Sequence, residues 1–164
     1  MMGVGKSTIG LYLSRKLSYS FIDIDKLVEK KEGASINIIF KNKSEQYFRK
    51  LESKIALTEI KKQNSVIALG GGAFLNKSIR KAVKSSSVSF WIDVNTELLI
   101  KRLSKTKKRP LLYKKNLSQI INKIYLERVK IYNEADFRIK CNFLKSEIIV
   151  NEVLKLYEKP RNKV

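Results

Sequence analysis

The chain contains no histidine and only one cysteine, Cys141. Without imidazole there is no histidine-based triad and no histidine-ligated zinc, so carboxylates, Lys, Arg and backbone amides must do any chemistry. A lone thiol excludes a disulfide within the chain and a thiolate metal site. Proline and glycine are scarce, two and seven among 164 residues, while 43% of the chain is apolar, which argues one globular domain of ordinary size. No apolar run approaches the length that spans a membrane and no signal peptide opens the chain, so a cytoplasmic protein without a membrane partner is expected.

Acids are also few: 15 against 35 basic residues, a formal charge of +20. Such a field suits an acidic partner, whether nucleic acid, an anionic surface or a polyanion such as ATP. The basic residues are nevertheless scattered, as at Lys30-Lys31, Lys61-Lys62, Lys107-Lys108-Arg109 and Lys114-Lys115. They lack the tight cluster with interleaved aromatics of a dedicated nucleic-acid site. We read the excess as a bias toward solvated lysines and expect no nucleic-acid partner.

What the chain does have begins at its third residue. Gly3-Val4-Gly5-Lys6-Ser7-Thr8 reads as the end of a phosphate-binding loop running into a helix. Its glycines let backbone N–H groups wrap phosphate oxygens at the positive end of that helix. Lys6 would reach the β- and γ-phosphates and the Ser7 hydroxyl would ligate Mg²⁺. Taken alone the stretch is equally a flexible terminus, but Ile9, Leu13 and Leu17 recur every fourth residue and predict a helix over 6–17.

Short apolar runs then alternate with helical patterns. Strands are predicted at Phe21–Asp25, Val66–Leu69, Val88–Ile92 and Phe137–Ile139. Helices are predicted near Ser44–Gln63, Lys77–Lys84, Thr96–Ser104, Leu117–Glu134 and Ser146–Glu158. The alternation argues a parallel α/β sheet flanked by helices. The basic stretch Lys105–Asn116 breaks it: a solvated loop, or a cationic lid that closes over ATP.

Several residues stand where such a sheet binds ligands, beyond the strands' carboxyl ends. Asp23 and Asp25 lie two apart, so in a strand both face the same way. One could hold Mg²⁺ through water and the other a substrate hydroxyl, or Asp25 could simply cap a helix. Gly70-Gly71-Gly72 follows the most apolar strand and allows close backbone approach, a nest of N–H donors, or a plain turn. Glu45 and Glu52 flank Arg49 at helical spacing and could fix its guanidinium, unless the three form only a surface ion pair. Arg128 interrupts the apolar stripe Leu117, Ile121, Ile124, Ile131, Tyr132 and needs an anionic ligand or an inward carboxylate such as Glu134 or Asp136.

The order and spacing of these residues resemble the shikimate kinase family over nearly the whole chain. The matching residues are Gly-Val-Gly-Lys-Ser-Thr at 3–8, Asp-Ile-Asp at 23–25, and Gly33 through Ile36 to Phe40. To these are added Glu45 with Phe48-Arg49 and Glu52, the triplet at 70–72, Arg109-Pro110-Leu111-Leu112, and Arg128 with Tyr132. The resemblance implies a P-loop NTPase-type fold, nucleoside-monophosphate-kinase-like, with parallel sheet order 2-3-1-4-5. It implies a single kinase domain over 1–164, with a shikimate-binding helical region about 24–63 and a lid about 105–116. The implied reaction moves the γ-phosphoryl of ATP to the 3-hydroxyl of shikimate, with Mg²⁺ as cofactor, in a monomeric enzyme.

By the same resemblance, Asp25 holds the reacting hydroxyl and accepts its proton, and Asp23 with Ser7 belongs to the Mg²⁺ shell. Arg49 and Arg128 clamp the substrate carboxylate, and Gly70, Gly71 and Gly72 line that pocket. Arg109 arrives with the lid to neutralise the transferring phosphoryl. Arg102 packs on adenine with Lys145 on its other side, and the loop Gly3, Val4, Gly5, Lys6, Ser7, Thr8 holds the phosphates.

Two departures accompany it. Ser44 stands where the family usually has glycine before Glu45, with a small effect expected. The first, central strand of the fold is missing before Gly3, so we expect a start misassigned by roughly ten residues, one strand and its turn. Rival readings are another small-molecule P-loop kinase, for gluconate or a nucleotide, and a silent ATP- or nucleic-acid-binding module.

Overall fold

Local sequence pattern and chain direction together set where the ligand-binding edge falls. The computed structural model describes residues 1, 3–104, 116–141 and 145–159. Helix α1 (Lys6–Leu17) opens the fold and is followed by strand β1 (Ser20–Asp23), then α2 (Ile24–Glu32), α3 (Ile36–Asn42) and α4 (Glu45–Glu59). Strand β2 (Ser65–Ala68) leads through a short 3₁₀ turn (Ala73–Leu75) into α5 (Lys77–Ser86). Strand β3 (Phe90–Val94), α6 (Thr96–Ser104), α7 (Leu117–Tyr132), β4 (Phe137–Cys141) and α8 (Ser146–Tyr157) complete the order.

β1 runs parallel to β2 in the register Ser20↔Ser65 to Asp23↔Ala68, and β3 runs parallel to β4 from Phe90↔Phe137 to Val94↔Cys141. Parallel pairing with crossover helices is the α/β arrangement expected from the alternation. The described strands make two separate two-stranded pairs, and none of them joins β2 to β3. The expected order 2-3-1-4-5, with its first strand missing, leaves the same two pairs.

Each pair carries its own apolar core. Val4, Ile9, Trp91, Val94, Leu99, Ile121, Tyr132, Ile149 and Val153 pack around β3 and β4. Ile24, Val28, Ile39, Phe48, Ala56, Ile60, Ile79 and Val83 pack beside β1 and β2. Phe74, in the 3₁₀ turn, packs against both. That turn is the apolar hinge-pin between the two halves.

One strand boundary differs from expectation in a way that matters. β1 ends at Asp23, whose side chain caps α2 by accepting from the Lys26 N–H at 3.3 Å, so the helix cap is Asp23 and not Asp25. Asp25 sits in the first helical turn, where an acid is favoured by the helix dipole. Period-two strand geometry therefore does not apply to the pair, and the two carboxylates face different surroundings.

The turn before α4 is strained. Ser44 has φ 103° and ψ 159°, a region open essentially to glycine alone. Its hydroxyl partly offsets this by accepting from the Tyr47 N–H at 3.3 Å. The effect expected to be small is thus a backbone conformation that serine adopts at a cost of about 1–3 kcal/mol. Because a serine-to-glycine change at a helix cap costs only a few tenths of a kcal/mol, Ser44→Gly should stabilise the fold by about 1 kcal/mol. Urea unfolding of the two proteins measures this; equal midpoints and slopes would show that the turn is unstrained.

Candidate active site

The glycine loop is built as its composition requires. Gly3 and Gly5 adopt φ 77° and 90°, and the second feeds directly into α1, whose first residue is Lys6. The free N–H groups of that first turn face the loop. Val4 contributes backbone only, since its side chain is buried in the core. Thr8 is exposed on α1. Lys6 Nζ donates to the Met1 carbonyl at 3.3 Å, within the loop's mouth.

Asp23 reaches this loop through space. Ser7 Oγ donates to Asp23 Oδ2 at 2.5 Å, joining the start of α1 to the end of β1. Two hard oxygen donors thus stand side by side at a helix N-terminus, a donor set that suits Mg²⁺ bound together with phosphate. Both were anticipated for the metal.

Asp25 turns the other way, toward the glycine triplet. Because β1 and β2 are parallel and in register, Asp23 and Ala68 end together, and Gly70 follows two residues on. A side-chain carbon at Gly70 would lie 2.5 Å from Asp25 Oδ1 and 2.6 Å from Glu52 Oε1. A side-chain carbon at Gly72 would lie 2.6 Å from Arg49 Cζ. Close approach of charged side chains to backbone is therefore what these glycines allow. Neither they nor Gly71 has a positive φ.

Arg49 is held as its neighbours suggested. Its Nε and Nη2 donate to Glu45 Oε1 at 3.2 and 3.0 Å, and its Nη1 donates to Glu52 Oε2 at 2.8 Å. The surface-pair alternative fails on one side, because Glu52 is only 2% exposed. Its second oxygen, Oε1, is buried without a hydrogen-bond partner among the described residues. Burial first of all, and then the Asp25 and Glu45 charges, push the Glu52 carboxyl above its ordinary range despite the opposing pull of Arg49. The spacing singled out Glu52 only as a brace for Arg49; nothing in it marked the carboxyl as buried against Asp25.

Arg128 comes to the same turn from α7. Its Nη1 donates to the Gly71 carbonyl at 3.0 Å, and the Tyr132 hydroxyl donates to that same oxygen. The carboxylates offered as alternative partners are engaged elsewhere: Glu134 with Arg80, and Asp136 with Ser89. The Tyr132 hydroxyl also accepts from the Met1 nitrogen at 3.4 Å, so α7 meets the residues before the phosphate loop as well as the glycine turn.

Arg102, in the last turn of α6, lies over the loop, with Nη1 3.4 Å from where a Gly5 side chain would begin. Lys145 stands exposed at the N-cap of α8, with no side-chain hydrogen bond or ion pair among the described residues. Arg109 and nearly all of the lid expected over 105–116 lie outside the described residues.

A lysine–serine loop opening a helix, set beside parallel strands whose carboxyl ends carry acids, defines a P-loop phosphotransferase of the nucleoside-monophosphate-kinase type. The family model for shikimate kinase matches residues 2–158. Shikimate kinase from Aquifex aeolicus (strain VF5) is 41% identical over 152 residues, which are 93% of this chain and 89% of that protein. Among solved structures, shikimate kinase from Acinetobacter baumannii in complex with shikimate superposes with a TM-score of 0.89 at 30% identity, covering 95% of this chain and 88% of that one. That from Bacteroides thetaiotaomicron also gives 0.89, at 28% identity, over 96% of this chain and 94% of its own. The chain belongs to the shikimate kinase family.

The buried Glu52 makes stability pH-dependent. Its folded-state pKa is raised, so its contribution is most favourable below the ordinary carboxylate range and is lost as pH rises through the raised value. Glu52→Gln should flatten that decline, seen as a melting temperature that changes less between pH 4.5 and neutrality than in the parent chain. A parallel decline in both proteins would assign it to another group.

Proposed function

We propose that this chain is an ATP-dependent shikimate kinase that phosphorylates the 3-hydroxyl of shikimate. The observation that supports this best is the position of Asp25 at the junction of two cationic sites. On one side its neighbour Asp23 touches Ser7 of the phosphate loop; on the other, Asp25 itself faces Gly70 beside Glu52 and Arg49. A carboxylated polyol on the Arg49–Arg128 side then offers a hydroxyl to Asp25, in line with a phosphate held on the Lys6 side.

The mechanism follows from this layout. Phosphoryl transfer depends on positioning and electrostatics more than on covalent catalysis, which suits a chain without histidine. Lys6 and the loop amides hold the β- and γ-phosphates, and Arg109 is assigned to the transferring group. Asp25 orients the acceptor hydroxyl and takes its proton as its oxygen bonds to the γ-phosphorus and the bond from that phosphorus to the β,γ-bridging oxygen breaks, releasing ADP. Arg49, kept in place by Glu45 and Glu52, pairs with the substrate carboxylate together with Arg128. Ser7 and Asp23 would hold Mg²⁺, which when bound neutralises charge on the phosphate oxygens.

We assign 1–164 to one kinase domain, with 24–63 as the acceptor-binding helical region and 105–116 as the lid. The enzyme is read as a cytoplasmic monomer whose partners are ATP and shikimate, with no nucleic acid. No helix among the described residues is long and apolar enough to cross a membrane.

A coupled ADP-release assay over a panel of shikimate, gluconate and nucleoside monophosphates tests the substrate; turnover with gluconate and none with shikimate would overturn the choice. Within that assay, Asp25→Asn should lower kcat by about two to four orders of magnitude. Lys6→Ala should lower it by at least about two orders, with circular dichroism unchanged. Full activity in either variant would remove that residue from the mechanism.

A further inference from the structure

The glycine turn meets α7 at Gly71, where Arg128 and Tyr132 both donate to one carbonyl. Two oxygen–donor contacts at a single point would leave the turn free to pivot about it. A second attachment lies a few residues on. Arg80, on α5, donates from Nη1 to the Phe74 carbonyl at 3.0 Å and to the Leu75 carbonyl at 2.8 Å. Its Nε pairs with Glu134 at 3.0 Å, and the Glu134 N–H bonds to the Ile131 carbonyl at the end of α7. Arg80 itself is 17% exposed, so little water competes for these contacts.

We infer that Arg80 is a positioning residue for the acceptor pocket: its guanidinium ties the 3₁₀ turn after the glycine triplet to the end of the helix that carries Arg128. This rests on the reading that Arg49, Arg128 and the triplet form the shikimate site. The geometry explains why an arginine is used. One rigid fork binds two carbonyls and a carboxylate at once, whereas a lysine ammonium on a flexible stem holds them in no fixed relation. It also explains why placement matters. The point a Gly72 side chain would occupy is 2.6 Å from Arg49 Cζ, so a small pivot of the turn changes its fit to Arg49 as well as to Arg128. Arg80 touches neither substrate nor phosphate loop in this account and acts through the turn.

Steady-state kinetics and melting temperatures of four variants test this: Arg80→Lys, Glu134→Gln, Arg128→Ala and the Arg80→Lys/Arg128→Ala double. Arg80→Lys should raise the KM for shikimate about fivefold to tenfold, the worth of one or two hydrogen bonds, with kcat and the KM for ATP nearly unchanged. Glu134→Gln, at a carboxylate 54% exposed and so tolerant of change, should raise it about twofold. The double variant should raise the shikimate KM by less than the product of the two single effects, because Arg80 acts in part through Arg128. An unchanged shikimate KM in Arg80→Lys and Glu134→Gln, a loss confined to melting temperature, or additive effects in the double variant would overturn the inference. Should Arg80→Lys not fold, Glu134→Gln decides by the same criterion. Arg128→Ala separates the two levels: if it leaves the shikimate KM unchanged, the site reading itself is wrong. If it raises that KM while Arg80→Lys and Glu134→Gln do not, only the role of Arg80 fails.

Discussion

The site is organised around a turn where charged side chains close on bare glycine backbone. At Gly70 the carboxylates of Asp25 and Glu52 come within van der Waals distance of the backbone, and at Gly72 the Arg49 guanidinium does the same. A Cβ at either position would meet the end of a charged side chain, which would have to move aside. Glu52 is held there at a cost: it is buried, and one of its oxygens lacks a hydrogen-bond partner among the described residues. An unpaired carboxylate oxygen in such surroundings is unfavourable by itself. It persists because the other oxygen binds Arg49, whose guanidinium is thereby fixed for an anion.

The rest of the fold supplies distances to this point. Parallel register brings the end of β1 level with the end of β2, so the aspartates and the glycine turn leave the same edge. α1 begins where Ser7 can reach Asp23, which couples the phosphate loop to that edge. α7 approaches from the other core and delivers Arg128 and Tyr132 to Gly71. The two cores meet at Phe74, in the turn itself. A site assembled at the contact of two apolar clusters is positioned by both, and neither half holds it alone.

Much of this was legible beforehand. α1 and α6 end where the apolar period and flanking residues placed them, since periodicity of burial is a local property. Helical spacing likewise offered Glu45 and Glu52 as braces for Arg49, with a surface ion pair as the alternative, because residues three and four apart on a helix lie on one face. The aspartates were harder. A run of Phe-Ile-Asp-Ile-Asp alternates as a strand should, yet the chain turns helical at Ile24 once Asp23 caps the Lys26 N–H. Capping competes with extension at that residue, and the pattern does not say which prevails. Arg80 gave no signal at all, since its partners are carbonyls of a turn and a glutamate 54 residues away.

By itself the sequence determined what is local: the glycine–lysine–serine loop, the amphipathic helices, the short apolar strands, and the family to which their order belongs. Tertiary structure alone decided which charges share a neighbourhood. It set Asp23 on Ser7 and Asp25 against Glu52, and it gave Arg128 to a glycine carbonyl in place of a carboxylate. The physical reason is that helical and strand periods act over a few residues. Burial of a charge, by contrast, depends on backbone brought in from distant parts of the chain, and that is settled only when the two cores close on the turn between them.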